Sequence, residues 1–325
     1  MEKLHRYIKD IDKIVKKRIK ELKIEPILGL NQFIKKNKRF YSPPCFNERG
    51  EKVFFKILIT DEIAPAEAIR REIEIRKFLA SYKGKLNYPL LISSDSKNFP
   101  YWFLSRYLEG KLLGHFYNLY LNNKRYIPLL VEALFSLQEI PDNSIKKISK
   151  IKNCFLWKRD YPEYLIMVRS YQKGIDKEIR KKIDFQEIYE LFKKKRKFLE
   201  KSPLVLAHGD FTLANFVASK GKLVVTDWEQ AHLDNFAYDI CHLWIQLLRY
   251  PDWQKGLLSE FLSRLSADRK EEFQNLFRLI VITEALGELR WSINLCQKQY
   301  KNEATRAALK TIEVALRGFN SLLNL

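Results

Sequence analysis

The tightest constraint on this chain lies between residues 204 and 227. Phe216-Val217 and Leu223-Val224-Val225 flank Ser219-Lys220-Gly221-Lys222, a turn signal between two short apolar runs. Folded as a hairpin, these strands bring residue 215 opposite residue 226 or 227. Asn215 and Asp227 then stand side by side at its open end. Asp210 precedes Asn215 by one short loop, in His208-Gly209-Asp210-Phe211-Thr212-Leu213-Ala214-Asn215. One amide oxygen and two carboxylates therefore converge. Hard oxygen ligands of this kind suit Mg²⁺, which binds through one or two side chains plus substrate phosphates and water.

That convergence matches the needs of phosphoryl transfer, which asks for alignment and charge neutralisation more than covalent chemistry. Asp210 is placed to orient an attacking hydroxyl and take its proton. Asn215 and Asp227 are placed to hold the metal ion. A second feature lies upstream. Val53-Phe54-Phe55-Lys56-Ile57-Leu58-Ile59 is an apolar, strand-length run with a lysine inside it. A buried strand carries a lysine only where the ammonium finds a partner, because an unpaired one is costly. A solvent-facing Lys56 on a half-exposed strand is the alternative.

The rest of the chain divides by period. Residues 1–24 place Leu4, Ile8, Ile11, Val15, Ile19 and Leu22 at helical spacing among lysines. From 26 to 106 the pattern is strand-rich. The stretch from Phe40 to Phe46 pairs with the Lys56 strand, irregularly because of Pro43 and Pro44. A helix follows over 65–80, and Tyr101-Trp102-Phe103-Leu104 is a further strand. Beyond 112 the pattern predicts helices near 112–122, 126–139, 161–173, 184–201, 236–249, 253–265, 269–299 and 302–323. The β segment at 204–227 is the exception. The expected fold is α+β and bilobal. Residues 1–25 form an N-terminal amphipathic helix, 26–106 a small β-rich N-lobe, and 107–325 a larger helical C-lobe.

His-Gly-Asp-x4-Asn, followed twelve residues after Asn215 by Asp227-Trp228-Glu229, resembles the phosphotransferase family that includes aminoglycoside phosphotransferases and choline kinases, relatives of protein kinases with their bilobal fold. The resemblance implies an ATP- and Mg²⁺-dependent kinase acting on a hydroxyl of a small metabolite such as a sugar, an amino alcohol or an aminoglycoside-like molecule. It makes Asp210 the catalytic base and Asn215 and Asp227 the metal ligands. It makes His208 a brace behind the loop and Asp239 a residue that steadies the site. It assigns Lys56 to the nucleotide phosphates, paired with Glu72 or Glu74 of Arg70-Arg71-Glu72-Ile73-Glu74, with Glu72 favoured. It also reads residues 103–110 as the hinge that binds adenine through backbone groups, at Arg106 and Leu108. The glycine-rich phosphate loop has no counterpart, since Ile34-Lys35-Lys36-Asn37-Lys38-Arg39 stands in its place. Trp157, Tyr161, Tyr164, Trp244, Trp253 and Trp291 supply either an acceptor pocket or core.

Charge and cysteine usage narrow the partners. Lys and Arg outnumber Asp and Glu by 59 to 39, a net charge of +20, but in short scattered runs rather than one block. No nucleic-acid motif is present, so no nucleic-acid partner is expected. A strongly cationic acceptor would oppose the summed field unless the pocket is locally acidic. Cys45, Cys154, Cys241 and Cys296 have long irregular spacings that suit neither zinc nor a disulfide framework. No apolar run follows the N-terminus as in a signal peptide, and the expected location is cytoplasmic. Two alternatives remain: a kinase of a lipid-linked or envelope glycan, with residues 1–24 on an anionic membrane, and a catalytically inactive basic scaffold or nucleic-acid-binding pseudokinase.

Overall fold

The computed structural model describes residues 2–35, 38–82, 84–115, 117–148, 150, 156–292 and 298–323. Helix α1 (Glu2–Leu22) leads into strand β1 (Ile24–Pro26), the short helix α2 (Leu30–Lys35), and strands β2 (Phe40–Tyr41), β3 (Pro44–Asn47) and β4 (Lys52–Leu58). Helix α3 (Ile63–Tyr82) and strands β5 (Leu91–Asp95) and β6 (Trp102–Arg106) complete the N-terminal sheet. The sheet is antiparallel throughout, in the order β1-β3-β4-β6-β5. Strand β2 lies on the same edge of β4 as β3, so the predicted partner of β4 is split in two between Tyr41 and Pro44.

Strand β4 explains the lobe. Side chains alternate across a strand, and both faces of β4 are covered. Val53, Phe55 and Ile57 face one apolar cluster, which includes Ile11 and Val15 of α1 together with Trp102 and Leu104. Leu58 joins Ile69 and Ile73 of α3 and Phe103 on the other side, with Phe54 packed against them. Lys56 has the parity of Phe54 and Leu58, so it projects beneath α3.

The chain then crosses through β7 (Lys111–Leu112), β8 (Gly114–His115) and β9 (Asn118–Leu119). Among the described residues the helix expected at 112–122 is absent. Lys111 and Leu112 pair with Ala218 and Val217, and Gly114 lies against Leu213 where a Cβ would collide. Tertiary strand pairing thus overrides the local helical pattern. Next come α4 (Tyr126–Gln138), α5 (Asp142–Ile148), α6 (Tyr161–Gly174), α7 (Lys177–Arg180) and α8 (Phe185–Lys201). Asp160 and Asp184 cap α6 and α8, each accepting from the backbone N–H three residues on.

The β segment folds as β10 (Leu204–Ala207), β11 (Phe216–Ser219), β12 (Lys222–Val225) and β13 (His232–Asn235). It is followed by α9 (Tyr238–Gln246), α10 (Pro251–Ser263), α11 (Ala267–Ser292), α12 (Lys298–Arg317) and α13 (Phe319–Leu322). Strand β10 pairs with β13, and β11 lies between β12 and β7. The long helix predicted over 269–299 is α11 as far as Ser292, and residues 293–297 of that range lie outside the described residues. The one predicted over 302–323 breaks at Gly318, whose φ of 144° takes the chain out of helix. Helix α11 is the core of the lobe. Its residues Phe273, Leu276, Phe277, Leu279, Ile280, Val281 and Ile282 are all buried, as a helix surrounded on every side requires. Trp244, Trp253 and Tyr164 are core residues as well. Among the described residues no helix is long and apolar enough to cross a membrane.

Val15 is fully buried between α1 and the sheet. Val15→Asp should place an unpaired carboxylate there and cost about 3 kcal/mol. Calorimetry should show a lowered Tm; an unchanged Tm would mean that α1 does not dock as described.

Candidate active site

The predicted hairpin forms in the predicted register. Phe216 faces Val225, and the Thr226 N–H donates to the Asn215 carbonyl at 2.9 Å, so residue 215 stands opposite 226. The loop before it is clamped from below. Asp239, in the first turn of α9, accepts from the backbone N–H of His208 at 2.7 Å and of Gly209 at 3.0 Å. His208 is fully buried, with Nε2 2.9 Å from the Thr226 carbonyl and Nδ1 accepting from the Asp210 N–H at 3.3 Å. Both ring nitrogens are thus taken by backbone, and the imidazole ties the loop to the hairpin. Gly209 turns the loop at φ 84°, and a Cβ there would run into the Gln230 carbonyl.

Asp210 emerges from this loop at the mouth of the cleft. Its Oδ2 accepts from the Asn215 amide nitrogen at 2.8 Å, and the same nitrogen reaches the Asp210 carbonyl at 2.8 Å. Both bonds use the nitrogen, which leaves the Asn215 amide oxygen for the cleft. On the other side, His242 Nε2 of α9 lies 3.4 Å from Asp210 Oδ1. His242 Nδ1 is 2.7 Å from Glu284 Oε2 of α11. Burial alone would push the Asp210 carboxyl up. His242, His208 and Asn215 outweigh it and hold the carboxyl below its usual range. Burial would likewise lower the His242 imidazole, but Asp210 and Glu284 carry it up to about 10.

Lys56 is buried beneath α3 and surrounded by acid. Glu72 Oε2 lies 2.8 Å away, Asp227 Oδ1 3.4 Å, and Glu229 makes a close ion pair. Arg76 holds the other Glu72 oxygen at 3.0 Å. Glu74 turns away to Lys77 and Ser96, which settles the pairing on Glu72. Asp227 adopts left-handed backbone, φ 63° and ψ 73°, a conformation uncommon for a non-glycine residue and often found at functional sites. Burial would lower the Lys56 ammonium, yet its three carboxylates drive it well above its ordinary value. The negative charge is in excess. Burial, with Asp227 and Glu72 nearby, pushes Glu229 up to about 7 against the pull of Lys56.

The cleft between the lobes has a volume of about 340 Å³. Lys56, Asp227 and Asn215 line one end, and Ser105 to Leu108 line the other. Ser105 Oγ is buried with no hydrogen-bond partner among the described residues, an orphaned polar atom that a bound ligand can satisfy. Arg106 already gives its N–H to the Leu90 carbonyl at 3.0 Å, so a backbone contact from it must come through its carbonyl. The stretch from Ile34 to Arg39 falls partly outside the described residues, as do Cys154 and Cys296. The donor set suits a hard divalent cation: ligand oxygens of Glu72, Asp227 and Glu229 lie within 4.8 Å of one another, with a single ammonium to balance them.

Three of these residues carried little sequence signal. Glu229 stood inside the Asp-Trp-Glu motif without a role. His242 and Glu284 lie on different helices, and only their packing brings them to Asp210. Arg71 also joins the site: it donates to the Glu229 carbonyl and stacks over Trp157 at 4.2 Å, tying α3 to the segment after Asp227.

The raised His242 value fixes a pH dependence. Its folded value is about 10 against an ordinary 6.5, so the stability it contributes is complete below about 6.5 and lost as pH rises to about 10. The Tm of wild type should fall through that window, and His242→Gln should flatten the fall. An equal fall in the variant would contradict a charged His242.

With this geometry in hand, the chain can be set beside known proteins. The profile of the family described as "Phosphotransferase enzyme family" matches residues 49–274, well over half of the chain. No curated protein sequence matches significantly. An aminoglycoside 2''-phosphotransferase solved with GDP and kanamycin superposes with a TM-score of 0.60 at 14% identity, covering 89% of this chain and 92% of that one. A macrolide 2'-phosphotransferase from Brachybacterium faecium gives 0.54 at 13% identity, over 87% and 90%. An amicoumacin kinase in complex with AMP-PNP, Ca²⁺ and its ligand gives 0.57 at 12% identity, over 96% of each. At these identities the likeness shows the bilobal kinase-like fold.

Proposed function

We propose ATP as donor, Mg²⁺ as bridging ion and an amine-bearing, hydroxylated small molecule as acceptor for this chain, which belongs to the phosphotransferase enzyme family and is a small-molecule kinase with an alcohol group as acceptor. One observation carries the reading. Asp210 and Asn215 are bonded to each other on one side of the cleft mouth, and Asp227 faces Lys56 on the other. A base, two metal ligands and a phosphate-binding cation are thus gathered at one end of a nucleotide-sized cleft.

The roles follow. Lys56, held by Glu72, binds the phosphates. Ser105 and the Arg106 carbonyl, with Leu108 beyond them, meet the base. Asn215 and Asp227 hold Mg²⁺, with Glu229 beside them. Bound Mg²⁺ supplies neutralisation of the charge on the transferred group. Asp210 takes the proton as the acceptor oxygen forms its bond to the γ-phosphorus and the bond to the bridging oxygen of ADP breaks. Asp210 needs little basicity for this, because in a loose transition state its first duty is to orient the hydroxyl.

The net charge of +20 argues against a cationic acceptor only if the pocket shares it. On helix α11, Glu284 pairs with His242 behind Asp210, and Glu288 is bonded to Tyr117 and Gln246. That local acidity supports a cationic acceptor, as does the kanamycin bound by one structural neighbour. The lipid-linked glycan alternative drew on the basic N-terminal helix. Ile11 and Val15 are buried against the sheet, which removes apolar surface from any membrane contact. A cytoplasmic location fits the buried free thiols of Cys45 and Cys241.

Incubation with Mg·ATP and kanamycin, hygromycin B, choline or a neutral sugar, followed by ³¹P NMR, should reveal a phosphomonoester with at least one amine-bearing acceptor. Asp210→Ala should lower its rate by about 10²- to 10⁴-fold while Mg·ATP still raises the Tm. Normal turnover in Asp210→Ala would remove it as the base.

A further inference from the structure

Helix α3 must hold one orientation for Glu72 to reach Lys56. Its sheet-facing side is set by Ile69 and Ile73, which pack with Leu58 and Phe103. An α-helix turns about 100° per residue, so Arg71, two residues from each of them, points about 200° away. A helix gripped along one stripe alone can still roll on it. In this chain α3 is gripped on the far side as well, through Arg71.

The grip comes from Trp157. The Arg71 guanidinium stacks over the indole at 4.2 Å, and the indole stacks on His232 with 5.1 Å between centroids and 10° between planes. His232 is itself immobilised. It is fully buried, with Nδ1 2.9 Å from the Gln230 carbonyl and Nε2 3.1 Å from Asp234 Oδ2. The backbone on either side of Lys158 is tied down too. The Leu233 N–H donates to the Trp157 carbonyl at 3.0 Å and the Arg159 N–H to the Leu233 carbonyl at 3.0 Å, so residues 157–159 run parallel beside β13. Asp234 also accepts from the Tyr164 hydroxyl of α6 at 2.8 Å. The strap is thus fixed along its backbone, at its ring and at the helix that follows it.

We propose that Trp157 is a positioning residue for the phosphate end of the cleft: its ring, acting through Arg71, locks the roll of α3 and so keeps Glu72 on Lys56. This rests on the phosphotransferase reading and adds to it a residue of the larger lobe that sets nucleotide affinity. Trp157 touches no reacting atom. It acts on two of the carboxylates around Lys56. Glu72 follows Arg71 on α3, so the roll that places one places the other. Glu229 pairs with Lys56 through its carboxylate while its carbonyl accepts from Arg71. Without the clamp both carboxylates are free to swing away, and the ammonium loses the alignment that phosphate binding needs. The clamp depends on an aromatic face, because the ring quadrupole is what attracts the guanidinium, the more so for one as buried as Arg71. An aliphatic side chain fills space there without supplying that attraction.

The test compares the full chain with Trp157→Leu and Trp157→Phe, at a temperature where all three are folded. Each is titrated with Mg·ATP and with adenosine, which has the base and ribose but no phosphates. In Trp157→Leu the Kd for Mg·ATP should rise about three- to thirtyfold, with the Kd for adenosine within about twofold of wild type. Trp157→Phe, which keeps an aromatic face, should recover most of the Mg·ATP affinity. A merely structural role would weaken both ligands together, or lower the Tm and leave binding alone. Hydrogen exchange of the nucleotide-free proteins supplies a second readout: the amides of α3 should exchange about tenfold faster in Trp157→Leu than in Trp157→Phe. Unchanged Mg·ATP affinity in Trp157→Leu, or an equal loss for adenosine, overturns the proposal. A wild type that binds no Mg·ATP fails the nucleotide reading instead, and the exchange of α3 then decides the clamp: equal exchange in the two variants overturns it.

Discussion

The site is organised around one buried ammonium. Lys56 lies on the α3-facing side of β4, where an unpaired charge would be intolerable. Its partners come from three places: Glu72 from α3, Asp227 from the end of β12, and Glu229 from the turn after it. Satisfying Lys56 therefore fixes α3 against the sheet and joins the N-terminal sheet to the hairpin below it. The pairing overshoots, with three carboxylates around one ammonium and Arg76 shared with Glu72. A cluster with surplus negative charge beside a cleft is poised for a divalent cation and the phosphates that come with it.

The opposite wall uses backbone rather than charge. Asp239 grips two successive N–H groups, and His208 uses both ring nitrogens on main-chain partners. Asp210 is thereby presented on a rigid loop, and Asn215 and His242 set its two oxygens. In the proposed role, preorganisation of this kind would spare Asp210 from reorganising during the step. The protein as a whole is strongly basic, yet both walls of the cleft carry local acidity that the overall charge does not reveal.

Much of this was legible in the sequence because it depends on short-range geometry. The hairpin around Ser219-Lys220-Gly221-Lys222 could place Asn215 opposite residue 226 only through its turn, and period 2 sent Lys56 to the face opposite Val53 and Ile57. The bilobal α+β fold was legible on the same grounds. Where the reading failed, the deciding contact was distant. Lys111 and Leu112 are extended because they pair with β11, and Gly114 packs on Leu213, which no local pattern announces. Glu284 reaches the site because α11 crosses α9 at His242, a meeting of residues 42 positions apart.

The central claim is that the carboxylates around Lys56 hold a metal-bound nucleotide. Calorimetric titration of ATP into the full chain, with and without Mg²⁺ and with Asp227→Ala alongside, tests it most directly. The account predicts saturable binding that needs Mg²⁺ and is weakened in the variant. Binding of equal strength without Mg²⁺, or unaltered in Asp227→Ala, would contradict it.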